Sequence, residues 1–295
     1  MLTFTELGSL GRLGNQMFQY AALRSAGLRL GFETKIPNPE LKGWHGQNCM
    51  LGNLNIRSEY LSNTDMKKIK YQYIEKDYMN FDNKVFSLPD NTNMHGFFQS
   101  IHYFQDFKEE IIKELMPRQQ FLDTADKKFQ DIKNANNDYE IVSLHLRRGD
   151  NTDGSNPSKE LNEMYGKSGD LEMNSFYGKY LVDAKQRFKN KKVKFLIFTG
   201  GSRSDGNSNE TDMEWCRRNF VGEEYLFSEE NDVIIDFSMI SRCDHNIVSH
   251  ISSFGWWAAY LNQGEGIVIA PSNYHPDRPT MGYRQGFYPK KWILV

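Results

Sequence analysis

Two guanidiniums, a glycine and a carboxylate directly follow an apolar run in Ile141-Val142-Ser143-Leu144-His145-Leu146-Arg147-Arg148-Gly149-Asp150. A short, partly β-branched apolar run reads as a buried strand, and side chains alternate along a strand. His145 and Arg147 therefore share one face while Leu146 and Arg148 share the other. Arginine grips phosphate through a planar, permanently charged fork, and α/β proteins bind ligands at the carboxyl edge of a parallel sheet. The chemistry indicated is phosphate binding at a strand end. The alternative is that both arginines pair with neighbouring acids on a solvated surface, and this stretch alone does not separate the two.

Three further stretches carry polar chemistry. Phe4 to Gln16 is a short strand-like piece running into a loop punctuated by Gly8, Gly11 and Gly14. From about Asn15 the pattern turns helical, with Met17, Tyr20, Ala21 and Leu28 keeping one face apolar up to a stop at Gly31. Strand, glycine loop and helix present backbone N–H groups to a ligand. The spacing fits neither Gly-x-Gly-x-x-Gly nor the Gly-Lys-Ser/Thr ending of a P-loop, which excludes a nicotinamide or ATP reading of this loop. Met94-His95-Gly96-Phe97-Phe98-Gln99-Ser100 reads as a strand end carrying polar groups toward a cleft, with His95 and Gln99 either touching substrate or serving structure. Ser252-Ser253-Phe254 precedes the apolar Gly255-Trp256-Trp257-Ala258-Ala259, so its hydroxyls and N–H groups fall at a helix N-terminus. That is an anion site, or a plain serine cap with its tryptophans in the core.

The elements positioning these groups alternate. Phe107 to Leu115 reads as a helix ended by Met116-Pro117, and residues 122–137 as a charged helix. The polar run Asn134 to Asp138 marks a domain boundary, giving domains 1–137 and 138–295. Residues 151–170 form a long polar loop beside the strand end, as lids do. A helix over Ser175 to Phe188, a buried strand over Val193 to Thr199, helices over Asp232 to Ile240 and Gly255 to Leu261, and short strands at Ile247-Val248 and Gly266 to Ala270 follow. Strands alternating with helices predict an α/β fold, a parallel sheet covered on both faces. Residues 35–135 are less informative, with Pro37, Pro39 and Gly43-Trp44-His45-Gly46 reading as loop.

Composition narrows the function classes. Across 295 residues, 36 basic side chains stand against 38 acidic ones, so no field would hold nucleic acid or an anionic membrane, and an anionic ligand must meet a local cluster. Cys49, Cys216 and Cys243 have no Cys-x-x-Cys spacing and form no even-numbered framework, which favours a reducing compartment. No segment approaches about 18 uninterrupted apolar residues. The expectation is a cytoplasmic protein, peripheral at the inner membrane if associated with it at all, in which Asn209-Glu210-Thr211 is a chance sequon. The histidines show no ligand spacing such as His-x-x-x-His and no Asp-x-Asp sits at a strand end, so no metal is expected.

Gly11-Arg12-Leu13-Gly14-Asn15-Gln16-Met17-Phe18-Gln19-Tyr20-Ala21, then His145-Leu146-Arg147-Arg148-Gly149-Asp150, then Ser252-Ser253-Phe254-Gly255-Trp256-Trp257 resemble, in order and along most of the chain, the α-1,2-fucosyltransferase family. The resemblance implies a GT-B architecture, two Rossmann-like domains facing across a cleft, with an N-terminal acceptor-side domain and a C-terminal GDP-fucose-binding domain. It implies transfer of L-fucose from GDP-β-L-fucose to the 2-hydroxyl of a terminal β-galactoside, with inversion and without cofactor or metal. A galactose-terminated oligosaccharide or a lipid-linked glycan is the implied acceptor. Arg147 is carried over as the diphosphate contact, with His145 on the same face and Asp150 as third member of the catalytic group. Arg148 is placed with the donor-binding residues and holds the loop, with Asp150 as its acid. Ser252, Ser253, Phe254, Gly14 and Asn15 join the donor contacts, and Asp236, sixteen residues ahead of Ser252, is carried over as the guanine reader. Gln16 and His95 stand on the acceptor side, and helix capping is the alternative for Asn15. The general base is sought among His95, Asp150 and Glu6, in that order.

The chain departs from the family at three places, the first being the long insertion after Asp150. Ile251 stands where many members have Asn before Ser-Ser-Phe, and Phe198-Thr199-Gly200-Gly201 stands where many have Phe-Ser-Asp-Asp, the acids Asp212 and Glu214 coming only later. The alternatives are an α-1,6- or protein O-fucosyltransferase with the same donor, or a non-catalytic nucleotide-sugar or glycan-binding module.

Overall fold

The computed structural model describes residues 1–38, 49–152, 159–200, 210–229, 232–272 and 286–295, Asp150 by its backbone alone. The chain divides into two compact units, Met1–Arg118 with Tyr283–Pro289, and Gln119–Gly282 with Lys290–Val295.

In the first unit, β1 (Leu2–Thr3), β2 (Thr34–Ile36), β3 (Glu59–Tyr60), β4 (Tyr71–Ile74) and β5 (Thr92–His95) form a sheet in the order β3-β2-β1-β5-β4. Every pairing in it is parallel. Helix α1 (Leu13–Leu30) connects β1 to β2, and α2 (Asn63–Met66) and α3 (Lys108–Leu115) complete the unit's α-helices among the described residues. α1 ends where expected: Gly31 adopts φ +70°, and the Gly31 and Phe32 N–H groups both close on the Gly27 carbonyl. The expected single apolar face is too narrow, because α1 is buried almost all round, including Gln16, Gln19 and Ser25. Tyr20 shows how a polar group is accommodated there: its hydroxyl donates to Glu114 at 2.5 Å and accepts from the Arg57 N–H at 2.9 Å.

In the second unit, α4 (Gln119–Ala135) leads into β6 (Glu140–His145). Then come α5 (Lys159–Asn162), α6 (Phe176–Gln186), β7 (Val193–Phe198), α7 (Asp212–Asn219), β8 (Tyr225–Phe227), α8 (Val233–Ile240), β9 (His245–Ile247), α9 (Ser253–Tyr260), β10 (Val268–Ala270) and β11 (Ile293–Leu294). The sheet order is β11-β10-β9-β6-β7-β8, again parallel throughout. β6 pairs with β7 in register from Glu140 opposite Val193 to His145 opposite Phe198, which buries the centre of the sheet. Tyr177, Phe188, Trp215 and Ile247 are among the residues of the surrounding core.

The division falls at Arg118/Gln119, not at 137/138. The physical break is Pro117, whereas the later polar run Asn134 to Asp138 only ends α4. That helix packs on α8 and is pinned to the second unit by Lys133–Asp244 at 2.8 Å and Arg242–Asp126 at 2.5 Å. The chain later returns to the first unit, where the Ile101 N–H donates to the Gly286 carbonyl at 2.8 Å and Phe287 stacks on Phe18. The expected loop over 151–170 contains α5, and its residues 153–158 lie outside the described part. Among the described residues, no helix is long and apolar enough to cross a membrane.

Candidate active site

In the second unit, β6 lies between β7 and β9, so chain order reverses at the β6/β9 boundary. Loops leaving these strands meet at the switch point where open parallel sheets bind ligands. His145, Arg147, Phe254 and the N-terminus of α9 converge there. The Arg147 backbone N–H donates to Ser249 Oγ at 3.2 Å, and its half-buried guanidinium donates to the Arg148 carbonyl at 3.2 Å. The His145 ring lies 5.4 Å from that of Phe254, and a Cβ on Gly255 would stand 2.9 Å from His145 Nδ1. Glycine in the first turn of α9 is thus what admits the imidazole. Ser252 caps this helix, its Oγ accepting the Gly255 N–H at 3.1 Å, and Ser253 opens the first turn. An arginine fork and a helix N-terminus at one sheet edge form a place for an anion.

Burial first, and the Arg147 charge second, push the His145 imidazole down to about 3, so it stays neutral near pH 7. Burial alone does the same to His250, packed among Phe176, Tyr177 and Tyr180. Both folded values lie below the unfolded value of about 6.5, so between the two the unfolded chain binds protons that the folded chain refuses. Their contribution to stability is present above about pH 6.5 and is lost as pH falls toward about 3. The unfolding midpoint in urea should therefore drop as pH is lowered from about 6.5 to about 5, and His250→Gln should reduce the slope by about one proton.

Arg148 is not at the anion edge. Its guanidinium is buried over the Trp215 ring at 3.7 Å, and its Nε donates to Asp212 Oδ1 at 3.2 Å. It holds the loop, as expected, but its acid in the structure is Asp212; the Asp150 side chain lies outside the described part. Alternation explains the split, since Arg148 shares its face with buried Leu146. Asp212 opens α7, behind the capping box of Thr211 and Glu214. That Thr-x-x-Glu pattern is a helix-start signal the sequence reading passed over. Asp236 stands in α8 and accepts from Ser228 Oγ at 2.7 Å, just past the carboxyl end of β8, on the same sheet edge as Arg147.

Ile251, immediately before the cap, has φ +50°. A β-branched residue there is strained by about 1–3 kcal/mol, and Asn tolerates the conformation. Ile251 is only half-buried against the core, worth about 1 kcal/mol. Ile251→Asn should therefore raise stability by about 1 kcal/mol, a gain of about 2–4 °C by calorimetry, where truncating an ordinary core isoleucine would lower it.

In the first unit, the order reverses between β1 and β5. Gln99 Nε2 donates to Asn15 Oδ1 at 2.7 Å, and the Gln19 amide spans the Leu10 and Gly96 carbonyls, both at 3.1 Å. His95 Nδ1 lies 2.5 Å from Glu6 Oε2, with both side chains open to solvent. Glu75, absent from the sequence reading, accepts the Phe97 N–H at 2.6 Å and the Phe98 N–H at 3.0 Å, holding Phe98 at φ +50°. Gln16 does not present its amide: it is wholly buried, donating to the Gly11 carbonyl at 3.2 Å and accepting the Met50 N–H at 2.8 Å. Nor does Asn15 cap α1; Arg12 is the N-cap residue, and Gly14 lies buried in the first turn.

The family model of glycosyl transferase family 11 matches residues 3–295. The chain belongs to that family. Among the curated relatives of this family 11 chain, an α-1,2-colitosyltransferase of Escherichia coli is 26% identical, over 97% of this chain and 96% of that one. A galactoside α-(1,2)-fucosyltransferase 2 of Mus musculus is 26% identical over 93% of this chain and 73% of the relative. The crystal structure of POFUT1 in complex with GDP superposes with a TM-score of 0.50 over 90% of this chain and 95% of that chain, at 11% identity. That likeness is one of fold: the family 11 chain is an α/β protein of the GT-B class, its two units each built on a parallel sheet.

Proposed function

We propose that this family 11 glycosyltransferase transfers L-fucose from GDP-β-L-fucose to the 2-hydroxyl of a terminal β-galactoside, with inversion and without a metal ion. The observation carrying the reading is Arg147 beside the N-terminus of α9 at the switch point of the second unit. As the bond from the sugar to the β-phosphate breaks, negative charge grows on the leaving diphosphate while the sugar becomes oxocarbenium-like. Fixed donors aimed at that charge lower the barrier. Arg147 supplies the forked cation, Ser252, Ser253 and the first turn of α9 supply N–H and hydroxyl groups, and Asp236 reads guanine. Neutral His145 packs beside this edge and supports it.

The colitosyltransferase relative, matched along nearly its whole length, favours a second reading in which the sugar is L-colitose. Colitose lacks one ring hydroxyl of fucose, so the same diphosphate grip serves both donors. The deciding experiment offers GDP-fucose and GDP-colitose separately, in EDTA, with lactose, Galβ1-3GalNAc, GlcNAc and a serine-containing peptide, the linkage being read by NMR. Fucose at galactose O2 supports the first reading, and colitose there the second. Transfer to GlcNAc or peptide, or activity that EDTA abolishes, overturns the acceptor or the metal-free part respectively.

A further inference from the structure

We propose that Ser249 is a positioning residue of the donor site, its hydroxyl fixing the main chain of Arg147 in the same frame as the N-terminus of α9. The assignment rests on the fucosyl-transfer reading above, and every group in it belongs to the second unit.

The two neighbours of β6 release it at different points. On the β7 side the ladder runs on past the strand, with His145 opposite Phe198 and the Leu146 N–H donating to the Phe198 carbonyl at 2.8 Å. On the β9 side the register closes earlier, at Leu144 opposite Ile247. Successive N–H groups along a strand point to opposite neighbours, so the Arg147 N–H turns toward β9, where the register has already ended. Ser249 Oγ takes it there at 3.2 Å, across 102 positions of sequence. A side chain thus supplies the contact that the ladder does not.

The hydroxyl is itself firmly held. Ser249 is 1% exposed and lies between the buried Val248 and His250. The Val248 N–H donates to the Ile269 carbonyl at 2.8 Å, and the Val248 carbonyl accepts from the Tyr180 hydroxyl at 2.7 Å. The His250 ring lies 4.5 Å from that of Phe176 and 4.7 Å from that of Tyr180. Just beyond, Ser252 caps α9. The segment from Val248 to Ser252 is therefore a short connector anchored in the core, with the tie to Arg147 at one end and the helix N-terminus at the other. Arg148 is pinned through Asp212 on the other face of the strand end, which leaves Ser249 to set the main chain at Arg147.

A diphosphate gripped by an arginine fork and by helix N–H groups needs the two sets of donors at a fixed separation. Contacts that tighten as the leaving group gains charge lose most from a small displacement. Ser249 touches no substrate under this assignment; it acts through Arg147.

The test has two arms. In free enzyme, Ser249→Ala should speed amide hydrogen exchange at Arg147 about 10-fold or more, followed by 15N NMR; this arm needs no donor. In turnover, Ser249→Ala should lower kcat for transfer about 10-fold while KM for GDP-fucose changes by less than about twofold. Ser249→Thr, which keeps the hydroxyl, should recover much of the loss, and Ser249→Val, of the same shape without it, should not. In the Arg147→Ala background, Ser249→Ala should cost less than about twofold further, because the group it aims is gone. A merely structural role would lower the melting temperature in both backgrounds without that kinetic coupling. Should Ser249→Thr fold poorly, the coupling between Ser249→Ala and Arg147→Ala decides alone. Turnover within about twofold of wild type in folded Ser249→Ala, an undiminished loss on top of Arg147→Ala, or unchanged exchange at Arg147 overturns the assignment. Wild-type enzyme that binds neither GDP-sugar overturns the fucosyl reading instead, and leaves the exchange result to decide whether Ser249 holds Arg147.

Discussion

Arg147→Ala is expected to lower kcat/KM for sugar transfer by about 10²-fold or more while leaving the melting temperature within about 2 °C of wild type. The guanidinium is half-buried at the end of β6, where it donates to the neighbouring Arg148 carbonyl. Its removal therefore opens no core cavity. A charge-assisted hydrogen bond contributes about 1.5–3 kcal/mol, and a forked contact to a diphosphate supplies two, strengthening as the leaving group gains charge. Arg147→Lys should recover only part of the loss, because an ammonium keeps the charge without the fork. Turnover with GDP-fucose and donor affinity by calorimetry are the measurements. Wild-type affinity and turnover in Arg147→Ala would remove Arg147 from the donor site.

Arg148→Ala should do the reverse, damaging stability before chemistry. Arg148 and Asp212 form an ion pair whose side chains are only 4% and 0% exposed, with the guanidinium also over Trp215. Removing one partner of a buried pair leaves the other charge uncompensated and costs about 3–5 kcal/mol. The melting temperature should fall by about 10 °C, given about 2–4 °C per kcal/mol for chains approaching this size. Replacing both members at once, Arg148→Met with Asp212→Leu, should recover at least half of that, because neither charge then has to be buried. Urea denaturation of the single and double variants measures the coupling. If Arg148→Ala unfolds at the wild-type midpoint yet loses donor binding, Arg148 belongs with Arg147 at the anion edge.

Much of this molecule is legible in its residues. The run from Ile141 to Leu144 can only be a buried strand, and Gly31 and Ser252 punctuate helices through local backbone geometry. The helices α6 and α8 match the spans expected from the sequence to within two residues, and the structure adds that Ser175 and Asp232 cap them. The short strands β2, β3 and β4 were not, because two to four residues carry too little periodicity to register. The same limit hid β8 and β11, and α7 was passed over despite its capping box.

The sequence by itself determined that an apolar strand delivers a pair of arginines to a sheet edge, that a serine-capped apolar helix follows later, and that strand and helix alternate from Ile141 onward. Each of these depends on neighbours within a few residues. Only the tertiary structure decided which arginine faces the edge and which is buried, since Asp212 lies far along the chain from Arg148. It also divided the chain between Arg118 and Gln119, turned Gln16 inward, and set Glu6 against His95 through the pairing of β1 with β5. These outcomes depend on strand order and long-range packing, which a pattern of local spacings does not specify.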